Sequence, residues 1–189
     1  MTLSEITEII WHNVDVFDFG AEPGWSAGAF MNPWIRARVT SRPKGAGWYW
    51  IETDADIASI PRPTGLPAKG CDFSPTAEEN QRIFPMEMRT KVNAANLRIV
   101  YNGHENKVIS RVRAHFILNS STTGALGIYH YPLSSYIWRC YYFTSGNIGR
   151  IGNAATRQII TDLLNNKTGR TAIEATWRVL YGWPELCKE

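Results

Sequence analysis

Two phenols, a guanidinium, an imidazole and a carboxylate carry the chemistry that this sequence offers. Arg111 and His115 stand four positions apart in a segment of helical spacing, so they share one face of a helix. Tyr49 follows Gly47 in one short aromatic segment, and Tyr101 precedes Gly103 in another. A guanidinium gives a phosphate planar paired donors and stabilises the negative charge of a phosphoryl transition state, where lysine acts only as a point charge. A phosphodiester suits a pocket built from that basic pair and two phenols. Glu174, the only acidic residue between Thr171 and Tyr181, adds a carboxylate, and one carboxylate can hold a hydrated Mg²⁺. The stretch Thr171-Ala172-Ile173-Glu174 also spells a capping box, in which the glutamate would satisfy a helix N-terminal amide.

These side chains need elements to place them. Residues 3 to 17 read as an amphipathic helix through Ile6, Ile9, Ile10 and Val14, with Ser4 as a possible cap. Gly47 to Ile51 and Ile99 to Tyr101 read as two strands of one sheet, carrying Tyr49 and Tyr101. The 54–95 stretch between them has five prolines and one helix candidate, Thr76 to Ile83, which marks it as an insertion. Asn106 to Leu118 predicts a helix with Val108, Ile109, Val112, Phe116 and Ile117 inward and Lys107, Arg111 and His115 on its wet side. Ala125 to Tyr131 and Tyr136 to Phe143 predict strands, and Asn153 to Asn166 and Thr171 to Tyr181 predict two closing helices. Upstream, the alternation around Trp34 to Val39 suits a strand. There Arg36, Arg38, Arg42 and Lys44 form either a solvated, charge-protected edge or an arm that tracks phosphates.

At 189 residues the chain predicts one domain of α/β class, with residues 1–45 as an N-terminal extension. The hydrophobic share of 44% excludes wholesale disorder, and the net charge of +3 permits nucleic acid without requiring it. Eight Trp and eight Tyr either fill a core or offer stacking faces to bases. Cys71, Cys140 and Cys187 form no C-x-x-C pair, which argues against a disulfide framework or zinc ribbon and for a reducing cytoplasm. No run approaches the length of a membrane span.

The ordered set resembles the GIY-YIG nucleases, most nearly their Type II restriction endonucleases. Gly47-Trp48-Tyr49 is similar to the GIY element and Tyr101-Asn102-Gly103 to the YIG element, each with a different middle residue. Arg111 falls ten residues after Tyr101, where the family places its essential arginine, and His115 fills a slot that its restriction members give to His or Tyr. Glu174 resembles the metal-binding glutamate, and His104 stands where a lysine is common. Gly127-Ile128-Tyr129 spells the first element literally. Starting there leaves Arg150 or Arg157 as the arginine and no glycine after the second tyrosine, so it is assigned to sheet packing.

The resemblance implies a small central sheet flanked by helices and a metal-dependent endonuclease that hydrolyses double-stranded DNA, of restriction or phage-defence type. Mg²⁺, with Mn²⁺ as a substitute, would sit on Glu174; Tyr49 would take the proton of the attacking water, and Tyr101 would orient the water or the phosphate. A phenol near pKa 10 is only about 0.1% ionised at neutral pH, so a cation among Lys44, His104, Arg111 and the metal would have to favour the phenolate. Arg36, Arg38, Arg42, Lys44, Lys107 and Arg113 would contact the DNA backbone. Cutting both strands with a one-site domain suits a homodimer. The alternatives are a catalytically inert nucleic-acid-binding module and an RNA-cleaving toxin nuclease.

Overall fold

Every residue of Gly47–Thr53 is buried, so the sheet is built on this strand. The computed structural model describes residues 1–20, 45–61, 73–116, 125–131 and 135–188. Its strands are β1 (Asp15–Gly20), β2 (Gly47–Thr53), β3 (Arg98–Glu105) and β4 (Trp138–Thr144), in the spatial order β1-β4-β2-β3 with all neighbours antiparallel. The helices are α1 (Leu3–His12), α2 (Phe73–Ile83), α3 (Val108–Phe116), α4 (Ala154–Asn165) and α5 (Lys167–Tyr181). The fold is thus α/β, with a small antiparallel sheet flanked by helices. Among the described residues, no helix is long and apolar enough to cross a membrane.

Alternation along β2 divides the core in two. Trp48 and Trp50 point to one face, where they pack with Ile10, Phe143, Ile160, Ile173 and Trp177 beneath α1, α4 and α5. Tyr49 and Ile51 point to the other, joining Val100, Val112, Phe116 and Trp138 under α3. Among the described residues, most of the aromatic rings therefore belong to the core or pack against it. The insertion takes part too: Ile57, Ile60, Phe73 and Ala77 belong to the Tyr49 side, and Phe73 stacks on Tyr131 at 3.8 Å.

Five expectations are corrected. The first helix stops at His12, with Thr2 and Glu5 forming its capping box in place of Ser4. Asp15 to Gly20 is strand β1, held by long-range pairing with β4 and by Phe17 stacked on Tyr142 at 4.5 Å. Ala125 to Tyr131 is not a strand: Gly127 takes a left-handed conformation and leads into a single 3₁₀ turn, Ile128–His130, so the literal Gly-Ile-Tyr lies outside the sheet. The final helix starts at Lys167, four residues before Thr171, capped by Asn166. The Thr171–Glu174 box therefore lies inside the helix and caps nothing. On α3 the wet side is narrower than its charge pattern implies, because His115 is fully buried while Lys107 and Arg113 are exposed.

Candidate active site

Antiparallel pairing sets Tyr49 on β2 opposite Gly103 on β3. A Cβ at position 103 would lie 2.6 Å from the Tyr49 hydroxyl oxygen and 3.2 Å from a Tyr101 ring carbon, so the phenol crosses β3 only because that residue is glycine. Gly47 has a different reason. Its Cβ would stand 2.0 Å from the carbonyl oxygen of Phe143 on β4. The two rings lie nearly parallel, 6.0 Å apart at their centroids, and α3 brings His115 to 5.4 Å from the Tyr49 ring and 4.7 Å from that of Tyr101.

The hydrogen bonds of this cluster have a defined direction. The Leu126 amide donates to His115 Nδ1 at 3.1 Å, and an amide can only donate, so Nδ1 carries no hydrogen. Burial, helped by the Arg111 charge, pushes the His115 pKa well below its ordinary value and keeps the ring neutral. Its one hydrogen is then on Nε2, which donates to the Tyr49 oxygen at 2.8 Å. Tyr49 also bonds the neighbouring Tyr101, and the Arg111 guanidinium bonds both phenols. The chain runs from Leu126 through His115 and Tyr49 to Tyr101.

Neither phenol ionises easily. Tyr49 is 1% exposed, and burial, with the neighbouring Tyr101, pushes its pKa well up despite Arg111. Tyr101 is half-buried; burial first, then the charges of Cys187 and Glu174, push it up to about 12 against the opposing pull of Arg111 and Tyr49. Arg111 stays charged, because the two phenols offset the lowering that burial brings. The part of this cluster that a ligand can reach is the half-buried pair, Arg111 and Tyr101.

A second group lies on the other face of β3. Glu174 of α5 accepts a hydrogen bond from His104 Nδ1 at 2.5 Å through one oxygen and pairs with Arg178, one turn along, through the other. Arg178 Nε also donates to Asn102 Oδ1 at 2.9 Å, and its guanidinium covers the Trp183 ring at 4.6 Å. Asn102, next to Tyr101 on β3, bonds both Arg178 and the Glu174 carbonyl, so the two groups lie on opposite faces of this edge strand. As a metal site the donors do not fit as they lie. Both Glu174 oxygens are engaged by nitrogen donors, one a guanidinium that would repel a cation. Among the described residues no three His, Cys, Asp or Glu side chains gather for an ion.

Tyr49, Tyr101, Arg111 and His115 are thus brought together, with His104 and Glu174 beside them. Arg36, Arg38, Arg42 and Lys44 lie outside the described residues. Sequence reading missed Asn102, Arg178 and the Leu126 amide. The i,i+4 spacing of Glu174 and Arg178 on a predicted helix was the available signal for one of them. A cleft of about 880 Å³ between Phe84, Trp11, Trp183 and the end of α5 touches this region through Arg178 but does not include the phenols. Comparison with family models, characterised proteins and solved structures finds no match.

Proposed function

We propose that this protein is a DNA endonuclease of the GIY-YIG type that hydrolyses phosphodiester bonds, in a restriction or phage-defence role. The observation that carries this reading is the hydrogen-bonded meeting of Tyr49, Tyr101, Arg111 and His115. Arg111 presents fixed N–H donors to a phosphate oxygen and stabilises the charge added when water attacks phosphorus. Tyr101 supplies a second hydrogen bond to that phosphate. Tyr49, held by His115 behind them, positions both. As the family's base Tyr49 would have to lose its proton inside the core, which its burial opposes, and no step here asks this of it. A Mg²⁺ or Mn²⁺ requirement belongs to the resemblance and is measured directly, with no step routed through the ion.

The experiment incubates purified protein with supercoiled plasmid, linear DNA, modified phage DNA and RNA, with Mg²⁺, with Mn²⁺ and with chelator. Nicking or linearisation of DNA that Arg111→Ala abolishes supports the proposal. One observation favours a second reading, an inert nucleic-acid-binding module: Tyr49 is almost wholly sealed from solvent. Salt-sensitive binding without cleavage would establish that module instead, and cleavage confined to RNA would establish a toxin-type nuclease.

A further inference from the structure

The cleft at the end of α5 has no part in the reaction proposed above. Its volume of about 880 Å³ falls in the range of small-molecule sites, roughly 300–1,000 Å³. The Trp50 side of the sheet reaches it through Glu52 of β2 and Ile99 of β3, α1 and α5 contribute Trp11 and Tyr181, and the 54–95 insertion contributes Phe84. Trp183 stacks on Phe84 at 4.5 Å, and Trp11 lies 5.9 Å from Tyr181. These four rings are each half-buried, so all keep surface open to a planar guest.

Glu52 is the polar group built into this lining, and it is 4% exposed. Asn93 Nδ2 donates to its Oε1 and the Tyr141 hydroxyl to its Oε2, each at 2.9 Å, with Arg139 3.7 Å away. A carboxylate has about four lone-pair sites, so these two bonds fix its orientation and leave it able to accept from a ligand. An apolar guest would cover this charge without satisfying it. A sugar would press hydroxyls against Met88, Leu97 and Leu180, which offer their side chains no partner. A nucleobase is apolar on both faces and polar only at its edge, which matches rings gathered around one acceptor. Lys91, exposed on the same cleft, gives an attached phosphate its counter-charge.

We propose that this cleft binds a nucleobase bearing an exocyclic amine, its face against the aromatic rings, its amine donating to Glu52 and its phosphate toward Lys91. The base belongs either to a free nucleotide or to a nucleic-acid strand, since both present the same chemistry. The assignment does not rest on the nuclease reading, and it gives the insertion a role as one side of a binding site.

Indole ¹H–¹⁵N signals of the full chain test this. Trp11 and Trp183 report the cleft, and Trp48, bonded to the Arg170 carbonyl and outside the cleft lining, reports the fold. The ligands are dAMP, purine deoxyriboside 5′-phosphate, which lacks the amine, and deoxyribose 5-phosphate, which lacks the base. dAMP should move the Trp11 and Trp183 signals and bind about 10-fold or more tighter than the amine-free nucleotide, and the sugar phosphate should leave both unmoved. Glu52→Gln keeps the Asn93 bond through its oxygen and can donate to the Tyr141 hydroxyl, which is able to accept. It should erase the preference for dAMP and leave Trp48 in place. Tyr181→Ala should weaken both nucleotides by about 5-fold or more. A single-stranded oligonucleotide that displaces dAMP, where an abasic strand of equal length does not, places the bound base in a strand; dAMP binding untouched by the oligonucleotide assigns the site to a free nucleotide. Signals unmoved by dAMP and by the oligonucleotide overturn the proposal. So do equal affinities for dAMP and the amine-free nucleotide, a preference that survives Glu52→Gln, or shifts of the same size from the abasic strand.

Discussion

His115 donates through one ring nitrogen and accepts through the other while fully buried, so removing either partner leaves a polar atom stranded. Tyr49→Phe strands the Nε2–H and should cost about 1–3 kcal/mol of stability. Tyr101→Phe, at a half-buried site open to water, should cost under about 1 kcal/mol. Urea unfolding with an unchanged m-value measures both. The buried imidazole also makes stability depend on pH. Its folded pKa lies below the ordinary 6.5, so below that pH the unfolded chain binds the extra proton and the folded chain does not. The stabilisation is therefore present above 6.5 and is lost as pH falls through the range beneath it, with a slope approaching about 1.4 kcal/mol per pH unit. His115→Asn should flatten this dependence between pH 5.5 and 6.5, read as urea midpoints. The i,i+4 spacing placed Arg111 and His115 on one face; that the face is half core depends on the Leu126 amide and Tyr49, both distant in sequence.

At the level of elements, the glycines of the two motif strands do different work. Gly103→Ala presses a methyl onto the Tyr49 hydroxyl, so it should lower stability by about 1–3 kcal/mol and disturb the cluster. Gly47→Ala meets the Phe143 backbone, which cannot swing aside, and should be worse; Gly149→Ala, with nothing within 4 Å, should be neutral. Thermal melts of the three variants rank them. The start of α5 is tested the same way. Asn166 accepts from the Thr168 amide at 2.9 Å, so Asn166→Ala should cost about 1 kcal/mol, while Thr171→Ala, inside the helix, should cost only a few tenths. That helix was legible from its periodicity, and so were β2, β3 and α3. Its first turn was not, because Lys167 to Arg170 includes a glycine and reads locally as a linker. Gly169 is tolerated because it packs against Leu163 of α4, where a Cβ would lie 2.7 Å from a carbonyl oxygen.

Across the whole molecule, the C-terminal tail joins the insertion to the sheet. Leu186 N donates to the Val100 carbonyl at 2.8 Å, Cys187 bonds Asn102, and Trp183 N donates to the Met88 carbonyl at 2.8 Å. Asn80 of α2 completes the joint, giving two 2.8 Å bonds to the carbonyls of Glu185 and Cys187. Asn80→Ala removes the side-chain donor of the Glu185 carbonyl and leaves the Cys187 carbonyl with the longer Trp183 Nε1 bond alone. It should cost about 1–3 kcal/mol, and hydrogen exchange should rise first at Val100 and Asn102. Sequence alone determined the local elements with clear periodicity, the central strand with its flanking glycines, and the chemical types of the site, since these follow from short-range sterics and side-chain chemistry. Tertiary structure decided what depends on contacts between distant residues. It made Asp15 to Gly20 a strand by pairing it with β4, sealed Tyr49 in the core, and gave Glu174 to His104 and Arg178. Pairing, burial and the partner of a charge are set by which segments pack together, and no window along the chain contains both sides of such a contact.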